Sequence, residues 1–240
     1  MSDFNTSRWK DTDFAQQYRD NADIYIIERQ RLFEIMKSFY RFFILDDTPK
    51  NILDLGCGDG IITSELLSVD DSISATLIDG SEDMLNQAKD RLNNFSQTTY
   101  IQASFQDMLK AHIVQQTYDL AISSQAIHHL TRDEKQRFYS LIYTYLRNGG
   151  YFINIDVTIA PTDDLEQWYM KLWQEWMDDK IAATGNTDAS FDDVIQRYKN
   201  LQENSPDTLD DQLRMLGNTG FVNVDCFYKY GIFTVFGGSK

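Results

Sequence analysis

Ile52-Leu53-Asp54-Leu55-Gly56-Cys57-Gly58-Asp59-Gly60 is the stretch whose reading decides the fold. Its first half is a short apolar run. Its second half is a Gly-x-Gly-x-Gly turn leading into Ile61, Ile62, Leu66 and Leu67 at helical spacing, so the order is strand, tight turn, helix. Glycine has no Cβ, so this turn can take positive φ and let a ligand lie against bare backbone, with the free N–H groups that open the helix facing that ligand.

Spacing separates the nucleotide-type ligands that use such a turn. The Gly-x-x-x-x-Gly-Lys-Ser/Thr phosphate loop is absent, and the dinucleotide fingerprint counted from Gly56 needs a small residue where Ile61 stands. Asp54, Gly56, Gly58 and Gly60 instead fill the pattern Asp-x-Gly-x-Gly-x-Gly. In this the chain resembles the class I S-adenosylmethionine (SAM)-dependent methyltransferases, in which this turn holds the methionine end of the cofactor. The competing reading is a glycine turn in an unrelated α/β protein.

Length and composition narrow the rest. A chain of 240 residues suits one α/β domain with an embellishment. The two cysteines, Cys57 and Cys226, are far apart and one lies inside the glycine turn, which argues against a disulfide framework or a zinc site and fits a reducing cytoplasm. The N-terminus has no secretory pattern, and no apolar run is long enough to cross a bilayer. A net charge of −15 with no dense Lys/Arg cluster makes nucleic acid a poor partner and a small molecule a better one.

Periodicity divides the chain into an N-terminal helical cap (1–48), a cofactor-binding core (49–159), a helical insertion (160–204), and a last helix with a strand pair (205–240). Residues 1 to about 12 are polar and expected to be poorly ordered, and Asp13 to Leu45 reads as one long helix or two. Strands are expected over Ile52–Leu55, Ile73–Asp79, Thr99–Gln102, Tyr118–Ser123, Tyr151–Val157, Val222–Tyr230 and Ile232–Phe236. The last two are joined at Gly231 too tightly to be parallel. The resemblance implies a seven-stranded doubly wound sheet in the order 3-2-1-4-5-7-6. Within the insertion, Leu165, Trp168, Tyr169, Leu172, Trp173, Trp176, Met177 and Ile181 form a wide apolar stripe ended near Gly185, and a shorter helix is expected around Phe191–Leu201. The stripe suits a substrate lid, a piece of core, or a homodimer interface.

Candidate site residues follow from these placements. Asp79 ends the second strand about twenty positions past the glycines, where a carboxylate can accept both ribose hydroxyls. With Gly80 and Met84 it resembles the family's second motif, whose residues flank the adenine. Ser104 and Phe105 stand where the family carries an Asp-Ala pair that holds the adenine amino group, and either Ser104 or Asp107 is the expected substitute. Ser123 and Ser124 open a Ser-Ser-x-x-x-His-His-Leu run like the family's fourth motif, under the methionine moiety and beside the substrate. Cys57 lies within the turn itself, and Tyr18, Arg19, Tyr25 and Arg29 are cap residues that could reach the cofactor carboxylate. His128 is the candidate general base. No Cys, Asp or Glu stands at ligand spacing from His128 and His129, so a metal is not expected.

The function so implied is transfer of the methyl group of SAM to an oxygen, nitrogen or carbon of a small molecule. Two alternatives use the same cofactor. Arg197-Tyr198, Gly220-Phe221, Cys226-Phe227 and Phe233 are loosely similar to carboxy-SAM synthases, which modify the cofactor itself, and a non-catalytic SAM-binding subunit would share the turn but lack room for an acceptor.

Overall fold

The computed structural model describes residue 4 and residues 7–185, 194–200 and 204–240. Its sheet has seven strands in the order β3-β2-β1-β4-β5-β7-β6. These are β1 (Asn51–Leu55), β2 (Ser74–Asp79), β3 (Thr98–Gln102), β4 (Tyr118–Ser124), β5 (Leu146–Val157), β6 (Val222–Tyr230) and β7 (Phe233–Ser239). The first five pair in parallel, and β7 lies antiparallel between β5 and β6. The expected architecture is therefore the observed one. The final strand starts one residue later than expected and runs three residues further, because β7 pairs with β5 along its length, from Phe233 opposite Val157 to Ser239 opposite Tyr151.

Strand parity builds the two cores. Ile52, Leu120, Ile122, Ile153 and Ile155 face one side of the sheet, where α1 (Thr12–Tyr25), α2 (Arg29–Phe43), α3 (Ile61–Leu67) and α7 (Asp163–Thr184) contribute buried residues. Leu53, Leu55, Ala121 and Phe152 face the other, against α5 (Phe105–Lys110), α6 (Arg132–Tyr145) and α9 (Leu209–Thr219). Each large side chain so buried contributes about 1.5–3 kcal/mol. Side chains alternate along a strand, so a sheet covered on both faces needs apolar residues at almost every position, which these central strands have.

The N-terminal cap is two helices. Glu28 takes φ +52° and ends the first direction, after which α2 lies across the sheet with Leu32, Phe33, Met36 and Tyr40 buried. Phe4 and Ser7–Asp11 do not match the disorder expected of the first dozen residues. A 3-10 turn at Arg8–Lys10, capped by Ser7, precedes an Asp11 whose side chain accepts from Asp13 and Phe14 to start α1. Trp9 holds this turn down, packing edge-on to Phe14 and Tyr18 at 5.2 and 5.0 Å.

One edge of the insertion's long helix is core, with Met170, Trp173 and Met177 buried. Trp173 is 5% exposed, donates from Nε1 to the Tyr25 carbonyl at 2.8 Å and packs edge-on to Phe233. Trp168, on the opposite edge of α7, is 53% exposed. Of the short helix that follows, α8 (Val194–Asn200) is described, while residues 191–193 and 201 of its expected span lie outside the described residues.

Candidate active site

A cavity of about 610 Å³ lies beyond the carboxyl ends of β1, β2 and β4, where parallel sheets of this topology bind ligands. The glycine turn forms its floor. Gly56, Gly58 and Gly60 all take positive φ, but for different reasons. A Cβ on Gly56 would sit 2.6 Å from the Ala126 side chain and 3.0 Å from the Phe105 ring, so the turn and the loop after β4 can approach only through a glycine. At Gly58 a Cβ would meet nothing within 4 Å, because that side opens into the cavity. Gly60 lies outside the lining; it caps α3 and lets Ala88 of α4 (Glu82–Arg91) approach.

Asp79 ties the floor to the wall. One carboxylate oxygen accepts from the Gly58 amide at 2.9 Å and the other from the Ser81 amide at 2.8 Å. Burial pushes its carboxyl above the ordinary range, against these backbone hydrogen bonds. Both oxygens therefore point at the start of the cavity already oriented, as a hydroxyl-recognising carboxylate must. Gly80, Met84, Ser104 and Phe105 also line the cavity. Asp107 is not free to take an adenine amino group, because its carboxylate closes a capping box with the Ser104 amide and hydroxyl.

Three other expected cofactor residues stand apart from this cavity. Asp54 points from β1 toward α3, fully buried, and accepts from the Thr63 hydroxyl at 2.7 Å; burial raises its carboxyl to about 7. Ser123 donates to the Leu55 carbonyl at 2.7 Å and braces β4 against β1. Tyr25 ends α1 and faces a second, smaller cavity. Parity explains the first two: Asp54 and Ser123 are inside the sheet, whereas Ser124, the last residue of β4, emerges into the large cavity. Cys57 does line it, with a thiol that burial holds well above its ordinary value and hence neutral.

The cap supplies the roof. Tyr18, Arg19 and Arg29 line the large cavity, and Arg19 reaches across to Asp83 at 3.2 Å and to the Met84 sulfur at 3.4 Å. Phe4 lies against Gly80, where a Cβ would come within 2.6 Å of its ring. Trp9 donates from its indole to Nε2 of His129 at 3.0 Å, joining the N-terminal turn to the loop after β4. Sequence reasoning missed Phe4 and Trp9; two large aromatics in an otherwise polar stretch were the available signal.

The smaller cavity, about 110 Å³, abuts the first and shares Trp9, Tyr18, Gln125 and His129 with it. His128 is here and not in the large cavity. Its Nδ1 lies 2.6 Å from Asp156 Oδ1, and its amide donates to Oδ2 at 3.0 Å. Asp156 also accepts from the Val157 amide and the Asn154 side chain, so it receives and the imidazole carries its proton on Nδ1. Nε2 then keeps its lone pair, and it has no hydrogen-bond partner among the described residues. Asp156 was missed in the sequence, although a carboxylate near the end of an apolar buried strand is itself a signal.

No residue of α7 lines the large cavity, and Trp173 alone of its stripe lines the small one. None of the described residues of the insertion therefore lines the large cavity. Ser205, just past it, does reach that cavity, held by its amide donating to the His128 carbonyl at 2.8 Å and by the buried Lys135 ammonium on its own carbonyl.

Comparison with known proteins agrees with this geometry. Residues 52–150 match the methyltransferase domain family. The chain is 23% identical over 225 residues to a carboxy-S-adenosyl-L-methionine synthase of Nautilia profundicola, covering 91% of this chain and 84% of that one. It is 26% identical over 104 residues to a malonyl-[acyl-carrier protein] O-methyltransferase of Halalkalibacterium halodurans, spanning 38% of that protein. Its fold is similar to an O-methyltransferase family protein from Burkholderia thailandensis, with TM-score 0.68 at 13% identity, covering 98% of this chain and 62% of that one. It is also similar to human N-acetylserotonin methyltransferase in complex with SAM, with TM-score 0.59 at 16% identity, covering 99% of this chain and 61% of that one. The family match begins at the strand that feeds the glycine turn and takes in Asp79 and the loop after β4, which build the floor of the large cavity, so residues 52–150 form a methyltransferase domain.

Proposed function

We propose that the protein transfers a methyl group from SAM to an oxygen, nitrogen or carbon nucleophile of a small molecule, in a reducing cytoplasmic setting that suits its two free cysteines. The observation that carries this reading is the junction of two cavities, one floored by a side-chain-free turn with an oriented carboxylate, the other holding a histidine whose Nε2 meets no hydrogen-bond partner among the described residues. The residues present fit the cofactor. Gly58 leaves backbone bare to the cavity, Asp79 is placed to accept from a diol, and Arg19 and Arg29 supply positive charge for a carboxylate.

Bound SAM supplies an electrophilic methyl group, so the protein's task is to align a nucleophile with it and exclude water, an orientation effect that reaches ~7–11 kcal/mol. Tyr18, Trp9 and Phe33 close the apolar side of the space. His128 accepts the acceptor's proton at Nε2 where the nucleophile is an X–H group, while Asp156 holds the ring in the required tautomer and faces the imidazolium that results.

The test is binding followed by turnover. SAM and S-adenosylhomocysteine should raise the melting temperature and NAD should not, with stabilisation of ~2.7 kcal/mol at a hundredfold excess over Kd. Asp79→Ala should weaken SAM by ~1.5–3 kcal/mol, the loss expected for a hydrogen bond to a charged group. An acceptor panel read by released S-adenosylhomocysteine then identifies the reaction. Unchanged SAM affinity in Asp79→Ala would defeat the assignment.

One observation favours a second reading. The carboxy-SAM synthase relative is matched over nearly the whole of this chain, well beyond the shared domain. Mass spectrometry of the ligand that copurifies with the protein separates the two, since a carboxylated cofactor would mark the synthase reaction.

A further inference from the structure

Among the described residues, the lining of the smaller cavity includes three uncharged buried polar atoms without hydrogen-bond partners, Nε2 of Gln125, the hydroxyl of Tyr198 and Oδ1 of Asn204, beside the charged Arg8 side chain, whose guanidinium lies over the Phe14 ring at 4.3 Å. Buried polar groups are almost always paired, and leaving one unpaired costs about 1–3 kcal/mol. Three such atoms around one small space are what a recognition site looks like before its ligand arrives.

Each is held there by the fold. Gln125 takes φ +52°, a conformation rarely used by residues with side chains, and its amide donates to the Ile155 carbonyl at 2.8 Å, fixing the loop after β4 in that shape. Tyr198 stands on α8 and packs edge-on to Trp173 at 5.3 Å. Asn204 donates through Nδ2 to the Tyr198 carbonyl at 3.1 Å, which sets its amide so that the oxygen is the atom left over. The neighbouring Ser205 is pinned to His128 and Lys135, so Asn204 has little freedom to turn away.

The inventory determines the complement. Gln125 Nε2 donates, the Tyr198 hydroxyl donates, and Asn204 Oδ1 only accepts. A carbonyl oxygen beside an N–H satisfies all three, whereas a carboxylate brings no donor for the Asn204 oxygen. The space equals about three to four water molecules at ~30 Å³ each, enough for one such group and little more. We infer that this cavity is the acceptor subsite and that Gln125, Tyr198 and Asn204 select an uncharged acceptor by its carboxamide or lactam edge, with the reacting X–H turned toward His128. This rests on the methyl-transfer reading, since it takes the large cavity as the cofactor's.

Lactamide and lactate form a matched probe pair, differing in carboxamide against carboxylate. Saturation-transfer NMR on the full-length protein, with S-adenosylhomocysteine titrated first, should show lactamide binding at least tenfold tighter than lactate. Tyr198→Phe should weaken lactamide by fivefold or more while leaving S-adenosylhomocysteine affinity unchanged, and Gln125→Asn, which tolerates the same backbone conformation, should act likewise. If S-adenosylhomocysteine binds and the two probes are equal, or neither variant alters lactamide, the inference fails and the methyl-transfer reading stands. If S-adenosylhomocysteine itself does not bind, both fall together.

Discussion

The two cavities are built on opposite principles. The large one is floored by contiguous chain: strand, glycine turn and helix within Asn51–Leu67, closed by an aspartate at the next strand end. The small one is assembled from Trp9, Tyr25, Gln125, His128, Trp173, Tyr198 and Asn204, which share no local pattern and come from α1, the turn before it, the loop after β4, α7, α8 and the segment beyond. Backbone geometry imposed by a few glycines survives wide divergence, and a pocket made of side chains from remote segments can be rebuilt one residue at a time. On the proposed function, the first cavity keeps the cofactor and the second decides the acceptor.

The largest expected effect strikes the local cavity. Gly58→Val puts a branched side chain both into the open cavity and onto a φ of +54°, so SAM binding should be abolished by calorimetry while most of the core is untouched. Retained affinity would mean that the turn does not floor the cofactor site.

Next in size are two stability effects away from the ligand. Trp173→Ala removes a buried ring and the hydrogen bond it donates to the Tyr25 carbonyl, a loss of ~3–5 kcal/mol in denaturant unfolding, while Trp168→Ala should change stability by no more than ~0.5 kcal/mol. Equal losses would show that α7 is not divided into a core edge and an exposed edge. Asp54 gives a pH signature. Its folded carboxyl is raised from 3.8 to about 7, so the native state holds a proton that the unfolded chain releases. That contribution is complete below about pH 4 and is lost as pH rises through 7. Asp54→Asn should therefore become progressively more stable relative to wild type across this window, by on the order of 4 kcal/mol. A difference independent of pH would place Asp54 in a solvated site instead.

The smallest expected effect in energy tests the other cavity. His128→Ala should lower turnover by ~10²-fold, about 2.7 kcal/mol, with SAM affinity unchanged, and Asp156→Asn should lower it less, since it disturbs the tautomer but keeps the ring. Normal turnover with the acceptor would confine His128 to bracing the loop after β4.

How much was legible follows the same division. The strands, the glycine turn, Asp79 and a helical cap of one helix or two could be read because apolar periodicity and glycine spacing act over a few residues, while the strand order and the place of Met84 came from the family resemblance. Asp54, Ser123 and Gly60 were read as cofactor residues because they stand in the motif, yet strand parity and helix packing turn them inward. The aromatic stripe of α7 could not be divided between core and lid, since a helix shows its periodicity but not its neighbours.

The amino-acid sequence by itself determined the strands and the bare backbone floor, because these follow from local sterics and alternation, and through its family resemblance it implied the strand order. Only the tertiary structure decided that His128 is held by Asp156 in a separate chamber, that Trp9 closes the cavity, and that Gln125, Tyr198 and Asn204 converge with polar atoms unmet among the described residues. Those facts depend on which residues, up to some two hundred positions apart in the chain, come within a few ångströms of one another, and that is settled by the packing of the whole core and not by any one stretch of it.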